Sequence, residues 1–313
     1  MAVGAATTAF VTEAGGFIGT ELVKVLAARG HQVIGLVQSA QAAERVRRAG
    51  ATPVMGDRLT PGQWQDEAAA DWVFQLPAYP VHGTRVSRQG GMEITGARLT
   101  MDRHLLDAVG AGNTRRIVYV ADASCYGSTS GRAITEDSPL RPSPWGRSFM
   151  PALERVDGYL AAGLPIVTAF PGWVYGNGSW FCERIVKPIT RGRRVLQFGR
   201  TSPWVSPIHV HDCARALVHL AERGETGGRY FVVNSAHVRI TDFAATFARL
   251  ANLPLRVWRV PMAAIPLVAG PLLADALRTD AMFSNIRLRG IGFRFDYPTL
   301  EQGVQEVLGA LHE

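Results

Sequence analysis

Thr12-Glu13-Ala14-Gly15-Gly16-Phe17-Ile18-Gly19 directly follows the apolar run Ala9-Phe10-Val11. Glycine at such a strand-to-helix turn lets backbone approach a ligand closely, and the N–H groups opening the next helix seat a phosphate. Gly16 and Gly19 stand three residues apart, the spacing this arrangement uses. Alone the loop is weak evidence, because any tight turn favours glycine. Other chemistry-bearing residues are sparse. Cys125, Cys182 and Cys213 lie far apart with no Cys-x-x-Cys pair, which excludes a disulfide framework and a structural zinc site. His209 and His211 fall on opposite faces of an extended segment and would not share a metal, so none is expected. No Gly-x-Ser-x-Gly elbow is present, which leaves a serine hydrolase unsupported.

The chain has 313 residues, 47% of them hydrophobic and 19% charged, the balance of a soluble globular protein. Its formal charge is +7, carried almost entirely by scattered arginines. The densest groups, Arg45, Arg47, Arg48 and Arg191, Arg193, Arg194, lack the interleaved aromatics of a single-strand binding face, and no nucleic-acid partner is expected. No apolar run approaches the ~20 residues needed to span a bilayer, so no membrane partner is expected either. The first ten residues lack the basic start and cleavage site of a signal peptide, which makes the cytoplasm the expected location.

Strand-sized runs rich in β-branched or aromatic residues occur at 9–11, 32–37, 52–55, 72–76, 116–121 and 165–170. Helical patterns cover 19–28, 98–109 and 148–162. Strands alternating with helices predict an α/β fold, a Rossmann-type doubly wound parallel sheet with helices on both faces. Beyond Pro171-Gly172 the pattern loosens into a smaller C-terminal substrate lobe that ends in a helix at 299–311. The expected division is a dinucleotide-binding domain over 1–175 and a lobe over 176–313. A strand at 205–209 and a helix at 211–221 would return the segment 205–224 to the first domain. Ligands of open α/β sheets bind at the strands' carboxyl edge, which places the cleft between the two parts.

The stretch 11–35, with Phe17-Ile18-Gly19, Leu22-Val23, Leu26 and Gly30-His31-x-Val33, resembles the opening of the extended short-chain dehydrogenases, the NAD-dependent epimerase/dehydratase group. The likeness continues through Gly56-Asp57, Val118-Tyr119-Val120, Tyr126-Gly127, Ser143-Pro144, Pro171-Gly172-x-Val174-Tyr175-Gly176 and Ile208-His209-Val210-x-Asp212-x-Ala214-Arg215-Ala216. It covers roughly the first 225 residues. The resemblance implies cofactor contacts from Ala14, Gly15, Gly16, Phe17 and Ile18 and from Gln38 and Ser39. It also implies Asp57 at the adenine, Leu76, Pro77 and Ala78 along the ribose, and Pro171, Trp173 and Val174 near the nicotinamide. Glu13 departs from the pattern, standing where the family has its first glycine and putting a carboxylate near a pyrophosphate. The second strand ends in Gln38-Ser39 without the carboxylate that selects the unphosphorylated ribose. Gln38 and Ser39, aided by Arg58 or Arg45, favour NADP(H), with NAD(H) use left open.

The family's proton chemistry uses a Tyr-x-x-x-Lys pair and a Ser or Thr after the fifth strand. Here Trp145 and Phe149 take the pair's positions and Asp122 takes the hydroxyl's. No tyrosine in the chain has a lysine four residues later, and no lysine lies between Lys24 and Lys187. Hydride transfer is the cofactor's own chemistry, and a missing general acid costs typically ~10²–10⁴ in rate without removing orientation. Trp145, Phe149, Trp173, Trp180 and Phe181 are read in two ways, as a flat aromatic pocket for a substrate or as core, and Asp122 either touches that substrate or only caps a turn. The chain is similar to atypical ketoreductases that tailor aromatic polyketides. That implies reduction of a ring ketone on an angucyclinone-like polycyclic aromatic, with the substrate's own phenol supporting the developing oxyanion. A non-catalytic NADP-binding sensor and a redox-neutral cyclase or dehydratase are the alternative readings.

Overall fold

The computed structural model describes residues 7–76, 87–110, 114–129, 131–199 and 202–311. Strand and helix alternate through β1 (Thr8–Val11), α1 (Phe17–Ala28), β2 (Gln32–Val37), α2 (Ala40–Arg48), β3 (Thr52–Met55), β4 (Trp72–Gln75), α3 (Arg88–Gly110), β5 (Arg116–Val120), α4 (Met150–Ala161) and β6 (Ile166–Pro171). Next come β7 (Trp173–Tyr175), α5 (Lys187–Thr190), β8 (Val195–Phe198), β9 (Trp204–Val205), β10 (Pro207–His209), α6 (Val210–Arg223), β11 (Arg229–Val232), β12 (Val238–Arg239), α7 (Ile240–Leu250) and β13 (Val257–Val260). The chain closes with α8 (Ile265–Ala269), α9 (Pro271–Ala276), α10 (Ile286–Gly290) and α11 (Leu300–Gly309).

Seven of the described strands form one sheet in the order β11-β6-β5-β4-β1-β2-β3, with every neighbouring pair parallel. The order reverses beside β1, where the chain has run out to β3 and returns to β4 on the other flank. A switch point of this kind opens a crevice at the strands' carboxyl ends. Successive side chains alternate between the two faces. Ala9 and Val11 join Leu22, Leu26, Leu217 and Leu220 of α1 and α6 on one side. Phe10, Ile117 and Tyr119 join Leu105, Leu106 and Leu153 of α3 and α4 on the other. Burial on both faces is why these strands read as continuous apolar runs. A third cluster, including Tyr175, Phe181, Ile185, Phe243, Phe247 and Val304, forms the core of the lobe.

Three expectations change. The segment 205–209 is not one strand: Ser206 divides it into β9, which pairs antiparallel with β12, and β10, which pairs with β7. His209 then caps α6 and His211 lies inside that helix, so the opposite-faces argument does not apply. Second, α6 does pack on the main sheet, but β11 also joins it as its edge strand, so the lobe segment contributes more to the first domain than 205–224. Third, α3 begins ten residues earlier than its apolar pattern. Gly90, Gly91 and Gly96 weaken the local helix signal; tertiary contacts hold it, including Ile94 packing on Leu272 and the Thr95 hydroxyl donating to the Ser148 carbonyl at 2.7 Å.

Candidate functional site

Two hollows lie at the carboxyl edge of the sheet, one on each side of the N-terminus of α1. Gly15 and Gly16 line the first and Ile18 the second. Gly16 caps α1 without covering its first turn with a side chain, which leaves N–H groups open for a pyrophosphate. The loop and helix meet closely: a Cβ on Gly19 would lie 2.0 Å from the Glu13 carbonyl oxygen, so only glycine fits there.

Leu36, Val37, Gln38, Ser39, Ala42, Arg45, Gly56 and Arg58 complete the first hollow, with Glu13. Glu13 sits at φ 52°, the left-handed conformation that the family's glycine adopts freely and that costs another residue about 1 kcal/mol. Its carboxylate is bound by Arg58 Nη2 at 2.5 Å. Arg58 is 2% exposed, and burial holds its guanidinium below the ordinary pKa while the Glu13 charge opposes that shift. The charge that threatened a phosphate site is therefore matched. Arg58 Nη1 remains buried with no partner among the described residues. Gln38 Nε2 donates to Asp57 Oδ1 at 3.0 Å, and the Ser39 hydroxyl oxygen accepts from Ala42 N–H as the cap of α2. Arg45 reaches back to the Gly15 carbonyl at 3.2 Å. A glycine cradle, an open helix terminus and an orphaned buried guanidinium nitrogen fit a phosphorylated dinucleotide.

The second hollow is a mainly apolar cleft of about 510 Å³. Trp145, Phe149, Trp173, Trp180, Trp204 and Phe283 wall it, with Pro171, Gly172 and Val174 toward the sheet. Trp145 and Phe149 meet edge to face at 5.3 Å, and so do Trp173 and Trp180 at 5.2 Å. The Trp180 indole donates to the Val174 carbonyl at 2.9 Å, which fixes its ring. Gly172 is required because a Cβ there would lie 2.0 Å from the Ser206 carbonyl oxygen. The polar lining among the described residues is Arg98, Asp122, Ser124 and Thr279, with no tyrosine and no lysine. Asp122 caps the 3-10 turn Ala123–Tyr126 by accepting from Ser124 N–H at 2.8 Å, and it also faces the cleft.

The structure thus gathers Gly15, Gly16, Gln38, Ser39 and Arg58 at one hollow, and Ile18, Pro171, Trp173, Val174, Asp122, Trp145, Phe149 and Trp180 at the other. Phe181 is a correction. It is fully buried against Phe243 and Phe247, because one residue further along the chain turns its ring into the lobe core. Ala14 and Leu76 are buried beneath the loop, and Phe17 and Asp57 line neither hollow. Pro77 and Ala78 lie outside the described residues. Sequence reasoning missed Arg98, Ser124, Trp204 and Phe283. The available signal for Arg98 was Asp102 four residues later in a helical pattern, since such pairs share a helix face. Among the described residues no cluster suits a metal and no helix is long and apolar enough to cross a membrane.

Comparison with known proteins agrees with this geometry. The chain is 26% identical over 268 residues to the 4-hydroxy-2-methyl-3-oxo-4-farnesyl-3,4-dihydroquinoline-1-oxide ketoreductase of Stigmatella aurantiaca, covering 82% of this chain and 76% of that one. It is 24% identical over 277 residues to a dTDP-4-dehydro-6-deoxy-D-allose reductase of a Streptomyces species, covering 81% and 84%. Human epimerase family protein SDR39U1, solved with NADPH, shares the fold with a TM-score of 0.79 at 22% identity, over 96% of this chain and 99% of that one. Residues 9–234 match the NAD dependent epimerase/dehydratase family. The chain belongs to that family and is an NAD(P)-dependent oxidoreductase of the extended short-chain dehydrogenase type.

Proposed function

We propose that the protein is an NADPH-dependent ketoreductase acting on a ring ketone of a polycyclic, angucyclinone-like aromatic in secondary metabolism. The observation that carries this reading is the cleft itself: four tryptophans and two phenylalanines enclose it, and no tyrosine or lysine of the described residues enters it. Flat aromatic walls favour a flat aromatic guest by stacking and edge-to-face contact. The family resemblance also supports reduction, as does the relative from Stigmatella aurantiaca, which is named a ketoreductase for a 3-oxo-dihydroquinoline oxide.

When bound, the reduced nicotinamide supplies the hydride that adds to the carbonyl carbon. The chain's part is to hold the ketone against that group and exclude water with Trp145, Phe149, Trp173 and Trp180. A neighbouring phenol on the substrate gives its proton to the oxygen that gains the electron pair, and water then reprotonates the phenol. NADPH is favoured over NADH because the first hollow has Arg45, Arg58, Gln38 and Ser39 where a ribose-selecting carboxylate would stand. Only a small aromatic partner is needed; nucleic acid and membrane have no part, and the cytoplasm supplies the reduced cofactor.

The test is NADPH consumption with aryl ketones that do or do not carry a phenol beside the carbonyl. The wild-type chain is expected to turn over the phenolic ketones faster, and Trp145→Tyr is expected to add little without a lysine partner. No wild-type turnover of phenolic ketones, with activity appearing only in Trp145→Tyr, contradicts the proposal.

A further inference from the structure

Arg98 is not accounted for by the cleft's aromatic walls. It projects from α3 beneath the carboxyl end of β5 and is 6% exposed, yet it lines the cleft. Its Nε and Nη2 donate to the Tyr119 hydroxyl at 3.1 and 2.8 Å, and Nη2 also donates to the Val120 carbonyl at 2.6 Å. Asp102, fully buried, lies 3.7 Å from Nε and accepts from Tyr119 OH and Gln75 Nε2 at 2.7 Å each. Gln75 in turn accepts from Thr12 Oγ1 at 2.9 Å, at the start of the glycine loop. Among the described residues, the hydrogen bonds of this guanidinium run from Nε and Nη2 and none from Nη1. A buried cation braced on one side with donors left over on the other is preorganised to meet an acceptor.

We propose that Arg98 is a catalytic residue, whose Nη1–H donates to the substrate's carbonyl oxygen and offsets the negative charge that develops there. The proposal rests on the ketoreductase reading and adds a protein donor to a site otherwise left to substrate assistance. Burial opposes the guanidinium's charge, but Tyr119 and Asp102 outweigh it and hold its pKa above the ordinary value, so the donor stays protonated. The Asp122 charge favours the same cation from a distance, and Asp122 lines the same cleft. The Ser124 hydroxyl beside it is buried with no partner among the described residues, which leaves a second polar contact for an oxygen in this corner. A ketone is thus favoured over a hydrocarbon of the same shape.

The probe is α-tetralone, an aryl ketone without a phenol. Its carbonyl stretch is read by isotope-edited infrared spectroscopy in the presence of protein and oxidised cofactor. In the wild type the bound band is expected to fall below its position in an apolar solvent, in Arg98→Lys partly so, and in Arg98→Met not at all. Kinetically, Arg98→Met is expected to lose about a hundredfold in kcat with a smaller change in KM. Because Arg98→Met leaves the Asp102 carboxylate without its cation, the double variant Arg98→Met/Asp102→Asn repeats the measurement with both charges removed. A wild-type band at the apolar-solvent position, a shift that survives both Met variants, or no bound band at all overturns the proposal. A shifted band with no NADPH consumption on phenolic aryl ketones sinks the ketoreductase reading alone, and turnover without a shifted band sinks the role of Arg98 alone.

Discussion

At the scale of single residues, Glu13 and Arg58 decide whether the glycine loop can still hold a phosphate. Glu13 was visible in the sequence as a departure, a carboxylate where a glycine belongs. Its remedy was not visible, because Arg58 lies 45 positions away and only the fold brings the two together. The pair is part-exposed on the glutamate side, so breaking it with Arg58→Met should cost about 2 kcal/mol, less than a fully buried pair. Glu13→Gln and Arg58→Met should couple by about 1–3 kcal/mol in a double-mutant cycle read by chemical denaturation. Arg58→Met should also weaken NADPH binding more than Glu13→Gln, since it removes the orphaned donor. Additive effects on stability would mean that the ion pair is incidental. Trp180 and Phe181 show the other limit of legibility: adjacent aromatics look alike in sequence, and only the packing turns one to the cleft and the other to the core.

At the scale of elements, the strands and helices of the first half were legible because hydrophobic period and turn residues agree there. The early part of α3 and the division at Ser206 were not, since contacts distant in sequence decide both. The joint between α1, α6 and the segment before α11 is another such contact. His211 Nδ1 on α6 meets Glu21 on α1 at 2.8 Å, and Nε2 lies 3.5 Å from Asp296. The Glu21 hydrogen bond raises the His211 pKa above its ordinary value of 6.5, against the pull of burial, and the same bond lowers Glu21 below 4.5. His211's contribution is complete below 6.5 and fades as pH rises through the raised value. Glu21's is complete above 4.5 and fades as pH falls through the lowered value. Stability from this joint should therefore be fullest between 4.5 and 6.5, and His211→Gln should lower the melting temperature inside that window and remove the decline on its alkaline side. An unchanged pH profile in the variant would mean that solvent screening leaves the pair without effect.

At the scale of the molecule, a parallel sheet with its switch point beside β1 places the glycine loop, the guanidinium of Arg98 and the aromatic wall along one edge. The α/β architecture follows from local pattern, and so does the glycine loop. The shape of the aromatic cleft does not, because it is built from β7, β9 and the segment around Phe283, which meet only when the lobe folds over the sheet. The family binds NAD(P), and in this chain's cleft tryptophan and phenylalanine stand among the described residues with no tyrosine or lysine beside them. The most direct measurement is label transfer from NADPH carrying deuterium on the nicotinamide hydride carbon to a phenolic aryl ketone, read by mass spectrometry of the product. The account predicts one deuterium on the new carbinol carbon, delivered by the wild-type chain. Product formed without deuterium, or no reduction despite bound NADPH, would contradict it.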